Sequence, residues 1–257
     1  MIESTALDYT PDAFLQVAGV VIPFDPQVIT PNICQAIIEG RFETEEASQI
    51  PGIVRPGDRV LEIGAGTGFI STLLSRQRRV SRVIAVEANP HLLDYMTQLH
   101  ARNKVRKVRL LNAVLTNGPE TSATFYLRRD FWMSSLAPAP NPYIGTVEVP
   151  TMSFDALLRE EAIDLVVCDV EGAETVLFHG ADLSGVDRIF LELHDHVTGL
   201  SGVRRLFATM AEHGFVYDPR HSLGSVVLFQ KLGSNDIVRP YAGQLHTTPR
   251  DPLSLRP

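Results

Sequence analysis

The chain has 257 residues, a formal net charge of −7, and 44% hydrophobic and 21% charged residues. Such a chain can bury one large core, and no apolar run approaches the length of a membrane span. A nucleic acid is not expected as the main partner, because phosphate binding requires a basic surface. The two cysteines, Cys34 and Cys168, form no disulfide framework, and the acidic start lacks the pattern of a secretory signal. We therefore expect a cytoplasmic protein.

The N-terminal segment, residues 1–54, is predicted to be a cap of mixed extended and helical structure. Prolines punctuate its first half, where we expect a short strand or two. Helices are expected at 31–40, closed by a glycine, and at 43–50, ended by Pro51. The Arg-Pro-Gly-Asp turn at 55–58 then leads into the first core strand.

Residues 55–232 are predicted to form the main domain, in which strands and helices alternate. Strands are expected at about 59–64, 82–87, 107–112, 163–169 and 187–193, and helices at about 68–78, 90–103, 172–179 and 200–213. This alternation predicts an α/β fold with a doubly wound parallel sheet and helices on both faces. Two further strand-like runs, FVYDP and SVVLFQK, would complete a seven-stranded sheet with a hairpin return.

A long insertion, about residues 113–162, separates the third and fourth strands. It contains two runs that alternate like hairpin strands, TSATFYLRR and GTVEVPTM, around a proline-containing loop. Insertions of this length in a compact domain are usually functional or disordered. The strand pattern here predicts an ordered β-hairpin flap with a mobile tip. Residues 233–257 are polar and contain several prolines, so we expect a loose tail or a subunit clasp.

The most informative stretch is VLEIGAGTGFIS, which reads as a buried strand, a glycine turn and a helix start. A strand that enters a helix N-terminus through glycines lets a nucleotide-like ligand lie against the backbone. The next strand ends at Glu87, about twenty residues on, where a carboxylate can accept both ribose hydroxyls. The paired features predict a nucleotide-type cofactor site.

Two cofactor classes share this arrangement. A dinucleotide site requires a third glycine where this chain has Phe69, so no pyrophosphate is expected there. Glu62 suits a ligand with a positively charged amino group, and S-adenosylmethionine has one. We therefore favour a methyl-donor site over a dinucleotide site. Its first contacts would come from the glycine motif: Gly64, Ala65 and Gly66.

Ligands of open parallel sheets lie beyond the carboxyl ends of the strands. This rule adds Ala88, next to Glu87, to the candidate donor site. It also adds Asn112 and Ala113, which end the third strand and would lie against the adenine. A plain strand exit is an equally good interpretation of the last two residues.

The fourth strand, IDLVVCDVEGAE, carries the densest signal for chemistry. Asp169 follows its buried residues and is expected to point over the sheet edge into the cofactor cleft. Glu171 and Glu174 continue into a helix start, where acids often serve only as caps or dipole partners. That interpretation fits Glu174 well and Asp169 poorly, so Asp169 and Glu171 are our candidate catalytic residues.

The fifth strand ends in LELHDH, which places two histidines and an acid at a strand exit. His194 is a candidate general base, because the unperturbed pKa of histidine lies near neutrality. A competing interpretation is a divalent metal site, formed by Asp169 with Asp195 or a histidine, that would activate an acceptor hydroxyl. The remaining interpretation is that one of the two histidines, His194 and His196, only caps the strand and the other is solvated.

Three stretches, over roughly residues 40–195, resemble the FkbM family of S-adenosylmethionine-dependent methyltransferases. The first is GRFETEEASQIPGIVRPGDRVLEIGAGTGFIS, with an aromatic-Glu pair and a Pro-Gly-Asp before the glycine motif. The second is VIAVEANP with LLNAVLTN behind it. The third is VPTMSFDALL followed by DLVVCDVEGAETVLFHGA, whose Asp-x-Glu-Gly-x-Glu is the family's most specific signature. The serine pair in WMSSL is similar to one often found in the family's insertion.

The resemblance implies a class I methyltransferase fold and, usually, O-methylation of a hydroxyl on a sugar or secondary metabolite. It places Asp169 and Glu171 on the signature and Glu87 on the ribose-binding acid. The chain departs from the family where it has Glu62 and Gly-Ala-Gly instead of Asp and Gly-Ala-Asn. We expect a small-molecule acceptor, no nucleic acid or membrane partner, and leave a homo-oligomer open. The alternatives are methylation of a carboxylate or nitrogen, a cofactor-binding module without catalysis, and a dehydrogenase.

Overall fold

Twelve strands and seven α-helices make up residues 13–232, which are the residues that the computed structural model describes. The strands are β1 Phe14–Val17, β2 Val20–Pro23, β3 Asp58–Ile63, β4 Val80–Glu87, β5 Val108–Asn112, β6 Val114–Thr116, β7 Ser122–Leu127, β8 Gly145–Ser153, β9 Leu165–Cys168, β10 Arg188–Glu192, β11 Phe215–Tyr217 and β12 Val226–Lys231. The helices are α1 Pro31–Ile38, α2 Thr44–Ile53, α3 Phe69–Arg76, α4 Leu93–Arg102, α5 Phe154–Glu160, α6 Glu174–Leu177 and α7 Asp195–Glu212. The tail predicted at 233–257 and the first residues of the cap, 1–12, lie outside the described residues.

The central sheet has seven strands in the order β11-β12-β10-β9-β3-β4-β5. β10, β9, β3, β4 and β5 are parallel, whereas β12 lies antiparallel between β10 and β11. The doubly wound, seven-stranded sheet with a hairpin return is therefore confirmed. The carboxyl ends of β3, β4, β9 and β10 meet at one edge, where the site lies.

Both faces of the sheet are buried, which explains why its strands read as continuous apolar runs. Helices α1 to α4 pack on one face, and α5 to α7 pack on the other. Successive residues of β3 alternate between the two cores, with Val60 in the first and Leu61 in the second. The sheet edge is thus held rigidly from both sides.

The cap begins with the β1–β2 hairpin, which confirms the expected short strands. Its turn residues Ala18 and Gly19 both have positive φ, 46° and 75°, as a two-residue hairpin turn requires. Pro51 was expected to end the second helix, but it lies inside α2. The helix continues past it because Ile50 and Ile53 are 1% and 2% exposed and anchor both sides of the proline in the core.

The insertion forms its own three-stranded sheet, in which β8 pairs antiparallel with β7 and parallel with β6. The predicted hairpin is confirmed, and β6 is an additional strand. The apolar sequence FDALL of the insertion's last part forms α5, a helix that the strand pattern did not reveal. Ser153 caps its first turn by accepting a hydrogen bond from Ala156 N at 3.2 Å.

Cys34 and Cys168 are both buried free thiols. Among the helices of residues 13–232, none combines the length and the hydropathy that a membrane crossing requires.

Candidate active site

The glycine turn after β3 fits only because glycines occupy it. Gly64 and Gly68 have φ of 81°, and Gly66 has φ of 53°. A Cβ on Gly64 would lie 1.7 Å from the carbonyl oxygen of Asp169, so the turn lies directly against the end of β9. Helix α3 begins at Phe69, immediately after this turn, and no side chain caps its N-terminus.

Glu87, at the end of β4, organises the turn as well as facing the ligand space. Its carboxylate accepts hydrogen bonds from the backbone N–H of Gly66 and of Asn89, both at 2.7 Å. Burial raises the pKa of Glu87 to about 7, although these hydrogen bonds oppose the shift. Each carboxylate oxygen retains a second acceptor site, so ribose hydroxyls can bind beside the N–H groups.

A cavity of about 730 Å³ opens along this edge of the sheet, between the insertion and α6. Apolar side chains from the insertion line much of it, including Phe125, Phe131, Trp132 and Leu136. Seven of the residues predicted from the sequence also line it: Gly64, Gly66, Glu87, Ala88, Ala113, Asp169 and Glu171.

Glu62 and Ala65 line a second, much smaller cavity of about 20 Å³ behind the glycine turn. Glu62 is only 2% exposed, and neither of its carboxylate oxygens has a hydrogen-bond partner. Burial raises the pKa of Glu62 to about 8. The hydroxyl and the backbone N–H of Ser71 lie near this carboxylate without forming a well-aligned hydrogen bond, and they oppose the shift only in part. A positively charged group near Glu62 would therefore be strongly favoured.

Asn112 lines neither cavity. Its side-chain amide donates to the carbonyl oxygens of Glu87 and Ala88, at 2.8 and 3.0 Å. The expected contact with adenine is therefore replaced, in this structure, by a role in joining the ends of β4 and β5. Ala113, the next residue, is the one that faces the large cavity.

His194 lies behind the acids of the fourth strand and is 3% exposed. Its Nε2 is 3.2 Å from Asp169 Oδ1, and its Nδ1 is 3.6 Å from Glu174 Oε1. Burial lowers the pKa of His194, but hydrogen bonds to these two carboxylates outweigh it and raise the pKa to about 11. A charged imidazolium cannot accept a proton, so this arrangement does not suit the general-base role expected for His194.

Glu171 has a strained backbone, with φ of 49°, and is followed by Gly172 with φ of 97°. This conformation turns the chain so that Glu171 lines the large cavity. Burial raises its pKa to about 7. Glu174, in contrast, is 1% exposed and accepts from the backbone N–H of His194 at 3.3 Å, so it supports the site from behind.

Aromatic residues join the cap to the insertion loop beside the glycine turn. The ring of Phe131 lies 3.2 Å from where a Cβ on Gly66 would be. Trp132 packs on Phe42, with ring centroids 6.3 Å apart, and Phe42 packs on Phe69 at 5.5 Å. These contacts were not predicted from the sequence, although the aromatic-Glu pair and the WMSSL stretch are visible there.

Asp130 fastens the same loop to the cap. Its carboxylate accepts hydrogen bonds from the Thr30 hydroxyl and from the Asn32 amide, the latter at 2.8 Å. Within the loop, Arg128 donates to the Ser135 hydroxyl at 3.0 Å and to the carbonyl of Ala137 at 2.8 Å. These bonds give the flap an ordered base beside the cavity.

These features fit an adenosyl sulfonium amino acid. Glu87 offers acceptors for a ribose, the small side chains of Ala88 and Ala113 leave room for a flat base, and Glu62 has an uncompensated buried carboxylate near the glycine turn. A dinucleotide fits less well, because the helix start bears Phe69 where a pyrophosphate would need glycine. S-adenosylmethionine is the cofactor that fits all of these features at the carboxyl end of the parallel strands.

The profile of the methyltransferase FkbM domain matches residues 62–217, which is more than half of the chain. No curated protein matches the chain. Among solved structures, TYW2 of M. jannaschii in complex with AdoMet is similar at 14% identity and a TM-score of 0.46, over 87% of this chain and 88% of that chain. Precorrin-6y C5,15-methyltransferase of Geobacter metallireducens is similar at 15% identity and a TM-score of 0.41, over 74% of this chain and 88% of that chain.

Trm5b from Pyrococcus abyssi is similar at 13% identity and a TM-score of 0.47, over 86% of this chain but only 56% of that chain. The domain match spans both the glycine turn with Glu87 and the Asp-x-Glu-Gly-x-Glu signature after β9. The chain therefore belongs to the FkbM methyltransferase family and is an S-adenosylmethionine-dependent methyltransferase.

Proposed function

We propose that the protein methylates a hydroxyl oxygen of a small molecule, such as a sugar or a secondary metabolite. The observation that carries this proposal is the lining of the large cavity, which combines apolar side chains with carboxylates. Among the described residues that line it, there is no lysine or arginine. Its volume of about 730 Å³ lies in the range of small-molecule sites.

The charge of the cavity argues against anionic acceptors. Acidic side chains line it, including Glu120, Asp169 and Glu171, and among its described lining residues no lysine or arginine would offset their repulsion of an incoming carboxylate or phosphate. Carboxylate methylation and methylation of a nucleic acid are therefore disfavoured. A neutral hydroxyl on a largely apolar body meets no such repulsion.

The carboxylates of the site have distinct roles in this proposal. When bound, the donor supplies a methyl group whose bond to sulfur breaks as the acceptor oxygen bonds to carbon, with the electron pair remaining on sulfur. Glu87 and the glycine turn hold and orient the donor's adenosyl part. Glu171 accepts the hydroxyl proton, since it lines the cavity next to the signature turn. His194 holds Asp169 and Glu174 in place from behind.

A labelled acceptor screen tests the proposal. The protein is incubated with methyl-deuterated donor and a panel of neutral sugars, alcohols and phenols, their carboxylate and amine counterparts, and tRNA. We expect mass spectrometry to locate the label on a hydroxyl oxygen of a small acceptor. Label on a carboxylate, a nitrogen or RNA contradicts the proposal, as does donor binding without transfer to any member of the panel.

A further inference from the structure

Three donor groups converge where the ends of β9 and β10 lie side by side. Asp169, Glu192 and His194 each offer one ligand atom, and these atoms all lie within 4.8 Å of one another. We propose that they bind a divalent cation that accepts carboxylate and imidazole ligands together, as Mg²⁺ and Mn²⁺ do. Asp195, a ligand candidate from the sequence, is exposed at the start of α7 and lies outside this group.

The distances suit an octahedral ion. His194 Nε2 and Asp169 Oδ1 are 3.2 Å apart. Ligands at a right angle about an ion with bonds of about 2.1 Å are about 3.0 Å apart, and opposite ligands are about 4.2 Å apart. The His194–Asp169 pair therefore already has the spacing of two ligands at a right angle, and Glu192 lies within 4.8 Å of both. Asp169, whose side chain is 37% exposed, leaves positions open toward the large cavity.

The buried side of the imidazole faces a carboxylate, which is the type of partner that metal-bound histidines have on their second nitrogen. His194 Nδ1 lies 3.6 Å from Glu174 Oε1, and Glu174 is 1% exposed. A cation that binds Nε2 would displace the proton that the imidazolium holds there, and the carboxylate of Glu174 would keep the remaining proton on Nδ1. Glu174 would thus orient the ligand without touching the ion.

An independent observation also points to a cation. The small cavity behind the glycine turn is lined by Asp169 and Glu192 together with Glu43, Glu46 and Glu62. Among its described lining residues there is no lysine or arginine, and both oxygens of the 98% buried Glu62 lack a hydrogen-bond partner. Several carboxylates in one water-sized space repel one another unless they bind protons or a positive ion compensates them, so a cation that enters here can replace protons.

A role of the ion in catalysis rests on the proposed function, whereas binding of the ion to the protein does not. A divalent cation at Asp169 would face the acceptor side of the large cavity and lower the pKa of a hydroxyl bound to it. The hydroxyl proton would then pass to Glu171 at neutral pH. The protein would then have a metal-assisted acceptor site beside its donor site.

Titration of the chelator-treated protein with Mn²⁺, without donor or acceptor, tests the site directly. We expect calorimetry to detect one bound Mn²⁺, and Glu192→Gln to weaken its binding by at least about tenfold. The matched control is Glu148→Gln. Glu192 accepts a hydrogen bond from the Ser225 hydroxyl, and Glu148 likewise accepts hydroxyl hydrogen bonds, from Ser122 and Thr124, but lies on β8 outside both cavities. Affinity that is equal in both variants would overturn the proposal, as would no binding at millimolar Mn²⁺.

Electron paramagnetic resonance of the bound Mn²⁺ gives a second readout. We expect coupling to one imidazole nitrogen, which disappears in His194→Gln; coupling that persists in this variant would overturn the assignment. Asp169→Asn provides the same affinity test if Glu192→Gln does not fold, and unchanged affinity there contradicts the site. Because neither measurement uses an acceptor, their outcome is separate from that of the labelled screen.

Discussion

The backbone N–H of Gly66 donates a hydrogen bond to Oε2 of Glu87 at 2.7 Å, so the side chain that ends β4 holds the glycine turn that follows β3. The other carboxylate oxygen accepts from Asn89 N at the same distance. Two parallel strands and both of their exits are thereby joined through one carboxylate. Donor binding and the shape of the turn should consequently respond together to a change at Glu87.

We expect Glu87→Gln to weaken binding of S-adenosylmethionine by about ten- to a hundredfold, because hydrogen bonds to a charged acceptor are lost and one backbone N–H loses its partner. Isothermal titration with the donor measures this. Glu148→Gln, a glutamate of β8 outside both cavities, is the control and should bind like the wild type. Equal donor affinity in the two variants would show that Glu87 does not contact the ribose.

Glu171→Gln should lower turnover by about a hundredfold and leave donor affinity nearly unchanged, since a positioned general base contributes factors of that order. The substitution keeps the size of a side chain that lines the large cavity and removes only its ability to accept the proton. Single-turnover methyl transfer, followed with an acceptor found in the labelled screen, is the measurement. Full activity in this variant would move the role to another carboxylate or to a metal-bound oxygen.

The chelator-treated, ligand-free protein should lose stability as pH rises. Burial raises the pKa of Glu62 from 4.5 to about 8, and that of Glu87 from 4.5 to about 7. Between pH 4.5 and 8 the unfolded chain releases these protons while the folded chain retains them, so the folded state binds more protons. Stability must fall over that window, and the penalty is complete above the folded pKa values. Thermal unfolding at a series of pH values measures the slope.

Glu62→Gln should flatten this slope and raise the unfolding temperature at pH 8, because it removes an acid that is buried without a hydrogen-bond partner. The same variant should bind the donor more weakly, since the charge that favours the donor's amino group is gone. Glu148→Gln, at an exposed position of β8, should keep the wild-type slope. An unchanged slope in Glu62→Gln would contradict the assigned cause.

The sheet could be predicted well from the sequence, because its strands are buried on both faces and separated by helices of regular spacing. Leu165 to Cys168 reads as one apolar run, and β9 spans the same residues. Helix α5 was missed, since FDALL is too short to show a period within a segment dominated by hairpin strands. Pro51 was misplaced because burial of its neighbours outweighs the cost of a proline in a helix.

The site was predictable where it follows the strand-end rule and not where it depends on tertiary contacts. Glu87 and Asp169 could be found because each ends a parallel strand. The burial of His194 between two acids, which changes its charge, depends on how α6 packs against the end of β10. The contact of Phe131 with Gly66 joins residues far apart in sequence, and no local sequence pattern predicts it.

Two glycines have similar backbone conformations but different surroundings. Comparing their alanine variants therefore separates the cost of backbone strain from the cost of steric contact. Gly64 has φ of 81°, and Gly57, in the turn before β3, has φ of 91°. A Cβ on Gly57 would meet no atom within 4 Å, whereas on Gly64 it would lie 1.7 Å from the carbonyl oxygen of Asp169. Gly57→Ala should therefore cost about 1–2 kcal/mol of unfolding free energy, which is the cost of the left-handed conformation alone.

Gly64→Ala should cost clearly more than Gly57→Ala, because the turn must also move away from the end of β9. Donor affinity should fall in the Gly64 variant and stay at the wild-type value in the Gly57 variant. Urea unfolding and donor titration of the two proteins measure both effects. Equal stabilities with equal donor affinities would mean that the glycine turn and Asp169 do not touch in solution, and the donor site drawn from their contact would then have to be abandoned.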